Sequence, residues 1–376
     1  MTLNKQNFCK TADIKTSIFI VNDSPMLTAV IEAIIETQSQ YHIVGSVSDG
    51  EKAVQYFKHN KADIVLMDIH MPVMDGVAAT QKILQHKPNT RVLMVTATVT
   101  TNMSYIFSAL NSGAIDYIQT PSLPFKPGTS VSQEQLITSG KRLLDKLHSL
   151  SSLALPVQER SIHRQKIQRT LKSSTTKLNQ KIIVIGCSTG GPTALTQVFK
   201  PLNTLPACPI VICQHIEPGF SGDFAAWLEI ETGIPTLLAQ NRQDVEAGKL
   251  YIVPAGRNLI VTASGRFEVL PPPSGQIYTP NIDFIFDKFA HHFKKNMLGI
   301  VLTGMGADGA MGAKTVIEQG GTVLTQDSQT ALIDSMPVNT RKAINTHQSY
   351  MPNQLGMMMQ NWMSTGIKSA PLGGRL

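Results

Sequence analysis

Residues 16–121 alternate short apolar runs with segments of helical periodicity, and this alternation restricts the fold more than any other feature of the chain. The runs are rich in β-branched residues, as buried strands are: SIFIVND, YHIVGSV, DIVLMDI, RVLMVTA and YIQT. Strands that alternate with helices form a parallel sheet covered on both faces. We therefore expect a doubly wound α/β domain, whose working residues lie at the carboxyl ends of its strands.

Polar side chains follow three of these runs. Asp23 comes after the first run, Asp68 ends the third and Thr96 ends the fourth. Two carboxylates at one edge of a sheet form the oxygen-rich kind of site that Mg²⁺ prefers, and a divalent cation screens a phosphoryl group that arrives at a carboxylate. The pattern predicts a phosphoryl-accepting site with Asp68 as the acceptor.

A second motif lies at residues 186–191, where GCSTGG follows the apolar run KIIVIG and precedes Pro192. Proline suits the first turn of a helix, so Ser188 is expected on a strand-to-helix turn. Glycines let the backbone bend there, and amides that enter a helix are well placed to bind an oxyanion. A helix-capping serine and a catalytic nucleophile both fit this motif, which alone does not distinguish them.

A nucleophilic serine needs a base and a carboxylate that orients the base. His215 follows the run PIVICQ, and Asp308 ends the glycine-rich segment GMGADG after another apolar run, so both are expected at the same sheet edge as Ser188. The other histidines of this half fall in a helical segment or a polar loop: His291, His292 and His347. Singly, an edge histidine and a helix-capping aspartate are ordinary; the three residues together favour catalysis. Their chain order differs from that of α/β-hydrolases.

Basic charge is confined to the middle of the chain. Residues 16–121 carry six Lys or Arg against nine Asp or Glu, and residues 182–376 carry thirteen of each, whereas residues 122–181 carry eleven against three. The charges of this middle segment are not interleaved with aromatic residues as they are on a nucleic-acid-binding surface, so we interpret it as a linker and expect no nucleic-acid binding. Within it, SQEQLITSGKRLLDKLHSLSSLAL predicts an amphipathic helix.

The chain of 376 residues is long enough for two domains. We place an N-terminal extension at 1–15, the first domain at 16–122, the linker with its helix at 123–180 and the second domain at 181–376. No apolar stretch approaches the ~18 to 20 residues of a membrane helix, and the N-terminus lacks a secretory core, so we expect a cytoplasmic protein without membrane insertion. The four cysteines show no metal-ligand spacing, which argues against zinc and disulfides.

The first domain resembles the response-regulator receiver family. The segments VNDS, VLMDIHMPVMDG, VTA and GAIDYIQTP fall in that family's order and spacing. The resemblance implies a flavodoxin-like fold in which Asp68 takes the phosphoryl group and Thr96 contacts its oxygens. Asp23, Asp68 and the backbone carbonyl of His70 would hold Mg²⁺. Tyr117 would be the aromatic switch, and a chemotaxis histidine kinase would supply the phosphoryl group.

Two positions depart from the receiver pattern. Asn22 stands where the first residue of an acidic pair is usual, and Thr120 stands where a lysine usually precedes Pro121. A lysine there supplies a cation that pairs with the acidic or phosphorylated site, so its loss should weaken phosphorylation and the switch. A receiver that folds but signals poorly is the alternative that these two residues raise.

The second domain resembles the catalytic domain of the chemotaxis protein-glutamate methylesterases, the CheB family. Segments in that family's order are IGCSTGG, QHIEPGFSGDFA, YIVPAGRNLIV, PNIDFIF, VLTGMGADGA and GGTVLTQDSQTALIDSMP. The resemblance implies a Rossmann-like fold with Ser188 as nucleophile, His215 as general base and then acid, and Asp308 as the orienting carboxylate. The Thr189 amide and the loop around Met305 would line the site.

This resemblance also implies the chemistry and the partners. Ser188 would attack the γ-carbonyl of a glutamyl methyl ester and release methanol, and glutamine deamidation would use the same groups. The substrates would be the methylation helices of chemoreceptors, and the esterase would need no metal or cofactor. In the family, the unphosphorylated receiver obstructs the esterase site, and phosphorylation shifts the population away from that state.

Two departures in this half are milder. Cys187 stands where alanine is usual, and we interpret it as a small buried residue rather than a rival nucleophile, because it should point away from its neighbour at a strand end. Ser335 replaces a glycine that usually precedes Met-Pro, a change at the pocket rim that would bear on receptor choice.

A response regulator with a nucleic-acid-binding output is disfavoured by the neutral second half. An adaptor with a decayed receiver and an esterase-like domain stays open.

Overall fold

A computed structural model gives the architecture, and it describes residues 15–96, 103–122, 131–151, 181–217, 219–273 and 279–365. Of the expected N-terminal extension, the structure describes residue 15 alone. The linker segment PSLPFKPG lies mostly outside the described residues, and SSTTKLNQ lies wholly outside them. The helix predicted within the linker lies inside them.

The five apolar runs of residues 16–121 form the five strands of one parallel sheet, as predicted. Its strands are β1 (Thr16–Val21), β2 (Tyr41–Val47), β3 (Ile64–Asp68), β4 (Arg91–Thr96) and β5 (Asp116–Gln119). Their order across the sheet is β2-β1-β3-β4-β5. From β1 the next strand, β2, is added on one side, and the later strands β3 to β5 are added on the other side. The residues that follow β1 and β3 therefore border a common crevice at the carboxyl ends of these two strands.

Helices connect these strands: α1 (Pro25–Glu36), α2 (Gly50–His59), α3 (Gly76–His86) and α4 (Met103–Asn111). The first three begin at side chains that accept a backbone amide of the first turn. Ser24 accepts from Leu27, Asp49 from Lys52 and Asp75 from Ala78. Such caps satisfy amides that have no partner within the helix, which fixes where each helix begins.

The amphipathic helix predicted within the linker is α5 (Gln133–Ser151). It packs against α1, and a side chain at Gly140 would overlap Ile34 of that helix. Its apolar stripe is buried, including Leu143, Leu147 and Leu150. The helix therefore packs as part of the first layered structure, whereas the sequence pattern assigned it to the linker.

The second sheet has six parallel strands: β6 (Ile182–Cys187), β7 (Ile210–Gln214), β8 (Thr236–Leu238), β9 (Leu250–Ile252), β12 (Met297–Val301) and β13 (Thr322–Thr325). Their order is β13-β12-β6-β7-β9-β8. This confirms the predicted parallel α/β fold. An antiparallel pair that the sequence did not predict, β10 (Asn258–Val261) and β11 (Phe267–Leu270), lies outside this sheet.

The helices of this part are α6 (Gly191–Phe199), α7 (Ser221–Thr232), α8 (Ile282–Phe293), α9 (Ala310–Glu318), α10 (Ser335–Ala343) and α11 (Pro352–Thr365). Side chains from α8 and α9 pack with those of the central strands in one apolar core, including Phe286, Phe289 and Val316. A large buried core of this kind holds the strand ends rigidly, which suits them to position reactive groups.

Two compact units divide the chain, and α4 and β5 group with the second of them, although β5 is also a strand of the first sheet. Among the described residues, none of the helices is long and apolar enough to cross a membrane.

Candidate functional site

Ser188 lies directly after β6 and three residues before α6, on the strand-to-helix turn that the sequence predicted. Its amide donates to the Thr303 carbonyl at 3.0 Å, and its carbonyl accepts the Gly191 amide at 2.8 Å. Gly190 has a φ of 79°, in the left-handed region that favours glycine. The turn thus presents the serine at the carboxyl edge of the sheet while both of its backbone groups are bonded.

His215 follows β7, the strand next to β6. Its amide donates to the Cys187 carbonyl at 3.0 Å, so the backbones that carry His215 and Ser188 are bonded neighbours. The buried side chain of Gln214 joins them again, since its Nε2 donates to the carbonyls of both Ser188 and His215 at 2.9 Å. Sequence reasoning missed Gln214, although a glutamine at the end of an apolar strand was a visible signal.

Asp308 lies in the loop between β12 and α9, and its Oδ2 is 2.9 Å from Nε2 of His215. The carboxylate is nearly inaccessible, with 3% of its side chain exposed, and the imidazole retains 12%. Asp308 also accepts the backbone amides of Ile282 and Asp283, each at 2.9 Å. Buried carboxylates need such donors, and these bonds hold the carboxylate oriented toward the imidazole.

Topology accounts for this convergence. The strands that precede Asp308, Ser188 and His215 are β12, β6 and β7, which are consecutive neighbours in the sheet. Parallel strands end at one edge, so three residues far apart in sequence meet there. The structure brings His215 and Asp308 into hydrogen-bond contact and places Ser188 at the end of the strand between theirs.

The loop that contains Met305 lies against Ser188. A Cβ built on Gly304 would come within 2.8 Å of the Ser188 Cβ. The hydroxyl of Ser335 ties this loop, since it donates to the Gly304 carbonyl at 2.9 Å and accepts the Gly306 amide at 3.0 Å. The side chain at position 335 therefore sets the conformation of the loop beside the serine.

Two further bonds support the same region. The Asn339 amide donates to the Gly306 carbonyl at 2.9 Å, and the buried Thr303 hydroxyl donates to the Thr189 carbonyl at 2.9 Å. Thr189 is itself buried. Thr189 follows Ser188 directly, and Gly304, which precedes Met305, lies against Ser188, so both segments border the serine.

Cys187, which precedes Ser188, is fully buried at the end of β6. Burial raises the pKa of its thiol well above the ordinary range. A thiol that stays protonated is a poor nucleophile, so the buried role expected from the sequence fits this position.

In the first sheet, Asp68 ends β3 and Asn22 follows β1. The Asn22 amide donates to Oδ2 of Asp68 at 3.0 Å, and the Ile69 amide donates to Oδ1 at 2.6 Å. Burial raises the pKa of Asp68 to about 6, and the charge of nearby Asp23 acts in the same direction. Asp68 is thus a desolvated carboxylate next to a second negative charge, an arrangement that a cation would relieve.

Asp23 and His70 are exposed beside this position, whereas Thr96 is buried at the end of β4. The described ranges contain no group of three or more His, Cys, Asp or Glu that could hold a metal. Two carboxylates and a backbone carbonyl nevertheless match the oxygen ligands of a Mg²⁺ ion that keeps several waters. The Thr120 hydroxyl is buried and has no hydrogen-bond partner among the described residues, and it offers no positive charge to this site.

Tyr117 lies on β5 and is buried. Its ring centroid is 4.9 Å from that of Phe220, which belongs to the same compact unit. Burial raises the pKa of the Tyr117 hydroxyl above its ordinary value. The aromatic residue predicted as a switch therefore packs against the segment that follows His215.

Family comparisons cover most of the chain. Residues 18–125 match the response regulator receiver domain family, and residues 183–358 match the CheB methylesterase family. Among similar proteins, protein-glutamate methylesterase/protein-glutamine glutaminase 3 of Burkholderia orbicola (strain AU 1054) is 31% identical over 85% of this chain and 90% of its own length. A protein of the same name, numbered 1, from Bordetella avium (strain 197N) is 31% identical over 85% and 89%.

Solved structures resemble each part separately. The Thermotoga maritima CheB methylesterase catalytic domain is 31% identical and covers 48% of this chain and 97% of its own, with a TM-score of 0.45. The response regulator domain of Thermotoga maritima CheB is 30% identical and covers 38% and 99%, with a TM-score of 0.31.

Proposed function

This chain belongs to the family of protein-glutamate methylesterase/protein-glutamine glutaminases that carry a receiver domain, and we propose that Ser188, His215 and Asp308 perform its hydrolysis. The enzyme is a carboxylic ester hydrolase that acts on protein glutamyl methyl esters and glutamines. The observation that carries the residue assignment is the 2.9 Å contact between His215 and Asp308 at the sheet edge where Ser188 ends the intervening strand.

The contact with Asp308 supports a distinct role for each nitrogen of the imidazole. Nε2 of His215 faces the Asp308 carboxylate, so in this proposal it would carry the proton, and Nδ1 would be the basic nitrogen. Nδ1 would take the proton of the Ser188 hydroxyl as its oxygen attacks the γ-carbonyl carbon. As the tetrahedral intermediate collapses, the imidazolium would give its proton to the departing methoxy oxygen or amide nitrogen, which leaves as methanol or ammonia. Water would then hydrolyse the acyl-enzyme and release glutamate.

The oxyanion of each tetrahedral intermediate needs donors fixed in advance. We assign this role to the Thr189 amide at the start of the turn, with the Met305 loop as a second wall of the site. Support comes from the bonds of Thr303 to Thr189 and of Ser335 to the neighbours of Met305, which fix both segments.

The receiver part would control this activity through Asp68. Asp68 would accept the phosphoryl group from a chemotaxis histidine kinase, with Mg²⁺ held by Asp23, Asp68 and the His70 carbonyl. The cation would neutralise the charge that gathers as the phosphoryl group arrives. Thr96 and Tyr117 would register the phosphorylated state, and the contact between Tyr117 and Phe220 supports a link to the segment after His215.

The substrates we propose are the cytoplasmic methylation helices of chemoreceptors, which places the enzyme in the cytoplasm. We propose domain limits of 16–122 for the receiver and 181–376 for the esterase. The adaptor alternative is not favoured, because the residues that hydrolysis requires are present and two of them are in contact.

Methanol release from methylated receptor cytoplasmic fragments tests the proposal. The full-length protein should release methanol, and Ser188→Ala should lower the rate by ~10³-fold or more. Ser264→Ala, at an exposed position of the β10–β11 connection, is the matched control and should match the native rate. A phosphodonor with Mg²⁺ should raise the native rate. The assignment would be overturned if the native protein released no methanol, or if Ser188→Ala released methanol at the native rate.

A further inference from the structure

Two carboxylates are exchanged between the starts of helices α8 and α9. Asp308 precedes α9, yet its oxygens accept the amides of Ile282 and Asp283 in the first turn of α8, each at 2.9 Å. Asp283 lies in that first turn of α8, yet its Oδ1 accepts the Gly312 amide in the first turn of α9 at 2.7 Å. Each helix start therefore binds the carboxylate supplied by the other.

This exchange requires the two helices to approach closely. A Cβ built on Gly312 would come within 2.6 Å of both the Asp283 carbonyl and the Phe286 Cβ. A Cβ on Gly309 would come within 3.0 Å of Ile282. Glycines at the start of α9 thus allow the two helices to approach more closely than larger side chains would permit. The conformation of the segment 309–312 is therefore fixed by its packing against α8.

The electrostatics of the pair follow from this geometry. Helix starts favour negative charge because their amides point at it, so each anion is stabilised where it lies. Burial raises the pKa of Asp283; the Gly312 amide opposes that rise, and the charge of Asp308 adds to it. The two carboxylates therefore interact, and Asp308 in turn contacts His215.

We propose that Asp283 is a positioning residue for hydrolysis: it anchors the segment after Asp308 so that Asp308 faces Nε2 of His215, and it adds negative charge behind that pair. The inference rests on the proposed function of Ser188, His215 and Asp308. Asp283 differs from a simple helix cap because the helix that it caps follows the carboxylate on which the imidazole depends.

Other titratable groups near the pair are accounted for by contacts of their own. Cys213, at the end of β7, is fully buried, and its thiol pKa is raised well above the ordinary value by burial and then by the charges of Cys187 and Asp308. Asp287, one turn further along α8, is partly exposed and lies 3.2 Å from Lys288. Among the described residues, Asp283 is thus a titratable group, apart from Ser188, His215 and Asp308, whose carboxylate bonds to the start of α9.

The test compares the pH dependence of kcat/KM for methanol release by the full-length protein and its variants. Asp283→Asn keeps an oxygen for the Gly312 amide but removes the charge. Less negative charge near His215 makes its protonated form less stable, so the acid limb should move to lower pH, by about half a pH unit. Asp283→Ala removes the anchor as well, and its kcat should fall by ~10 to 100-fold with little change in KM.

Asp244→Asn is the matched control, because Asp244 is an exposed carboxylate paired with Arg266 at 2.8 Å, and its acid limb should coincide with the native one. An Asp283→Asn pH profile that coincides with the native profile would overturn the proposal. It would also be overturned if kcat of Asp283→Ala fell only in proportion to the unfolded fraction of that variant, measured by circular dichroism. Failure of the proposed function is a separate result, since it shows as inactive native protein or active Ser188→Ala.

Discussion

Asn22 donates its side-chain amide to Oδ2 of Asp68 across 3.0 Å, while its own oxygen accepts the Ser24 amide at 2.8 Å. A neutral group therefore fixes one oxygen of the proposed phosphoacceptor, and the amide oxygen is engaged elsewhere. A Mg²⁺ ion at this site would be bound by the carboxylates of Asp68 and Asp23, and position 22 would supply no anionic ligand. The site keeps its shape but has less charge with which to hold a cation.

Asn22→Asp should therefore tighten Mg²⁺ binding. A third carboxylate adds a hard anionic ligand, and we expect about tenfold higher affinity, or ~1.4 kcal/mol. The measurement is the rise in the Tm of the full-length protein with added Mg²⁺, which grows with affinity. Asn60→Asp, at the exposed end of α2, is the control. An equal Mg²⁺ response in Asn22→Asp and native protein would contradict this account.

Stability should depend on pH through Asp68. Its folded pKa of about 6 lies above the ordinary 3.8, so the stability it contributes is present below pH 3.8 and is lost as the pH rises to about 6. Asp68→Asn lacks this loss. Without Mg²⁺, its stability relative to native protein should rise between pH 4 and 7, by about 1 to 2 kcal/mol after allowance for partial exposure.

Asp49 provides a control of opposite sign. The pKa of Asp49 is lowered, chiefly by its side-chain bond with Lys52, so its contribution is present above pH 3.8 and is lost as the pH falls. Asp49→Asn should lose stability relative to native protein as the pH rises toward 3.8, and the difference should stay constant above it. Thermal unfolding from about pH 2 to about pH 8 measures both variants, and parallel curves for Asp68→Asn and native protein would refute the shift.

Asp308→Asn should nearly abolish turnover. An amide in this place no longer selects the imidazole tautomer that leaves Nδ1 basic, and a loss of ~10⁴-fold in kcat is expected. Asp334→Asn is the control, because Asp334 precedes α10 and makes no side-chain cap bond. Methanol release with saturating receptor fragment gives kcat, and a loss of less than tenfold would show that Asp308 does not orient His215.

Gln214→Leu should reduce both stability and rate. The substitution removes the donor shared by the carbonyls of Ser188 and His215, and the loss of buried hydrogen bonds of this kind costs ~1 to 3 kcal/mol. Misplacement of the two strand ends should lower kcat by ~10 to 100-fold. Urea unfolding and methanol release measure the two effects. Gln240→Leu at an exposed position should change neither.

Ser335→Ala should loosen the Met305 loop. The Gly304 carbonyl and the Gly306 amide would lose a shared partner, at a cost of ~1 kcal/mol. We expect KM for receptor fragments to rise a few-fold, because the loop forms part of the pocket wall, while kcat changes little. Initial rates over a range of fragment concentrations separate the two constants. A fall in kcat alone would instead place the loop in transition-state binding.

Local patterns in the sequence were sufficient for the first sheet and for the edge that carries the site. The five β-branched runs became β1 to β5 because strand formation there depends on short-range apolar content. Ser188, His215 and Asp308 each follow such a run, so the rule for parallel sheets placed them at one edge without any knowledge of strand order.

Features that depend on tertiary partners were not predictable in this way. The apolar stripe of α5 is visible in the sequence, but its packing partner α1 is not, so the sequence pattern alone assigns the helix to the linker. The short strands β10 and β11 pair with each other outside the six-stranded sheet and have little periodicity of their own. Asp283 looks like an ordinary acidic residue at a helix start, and only the fold shows that it bonds to α9 rather than to α8.

The three strands that precede Asp308, Ser188 and His215 are each flanked by strands on both sides in the order β13-β12-β6-β7-β9-β8. None of them is an edge strand that opens by local fraying, and opening energies are highest in such central strands. Amide hydrogens of Ile185, Ile212 and Ile300 should therefore exchange only when the whole second unit unfolds. Loss of esterase activity in denaturant should coincide with that global transition. The enzyme would then have no partly unfolded state in which Ser188 is exposed while His215 and Asp308 are out of place.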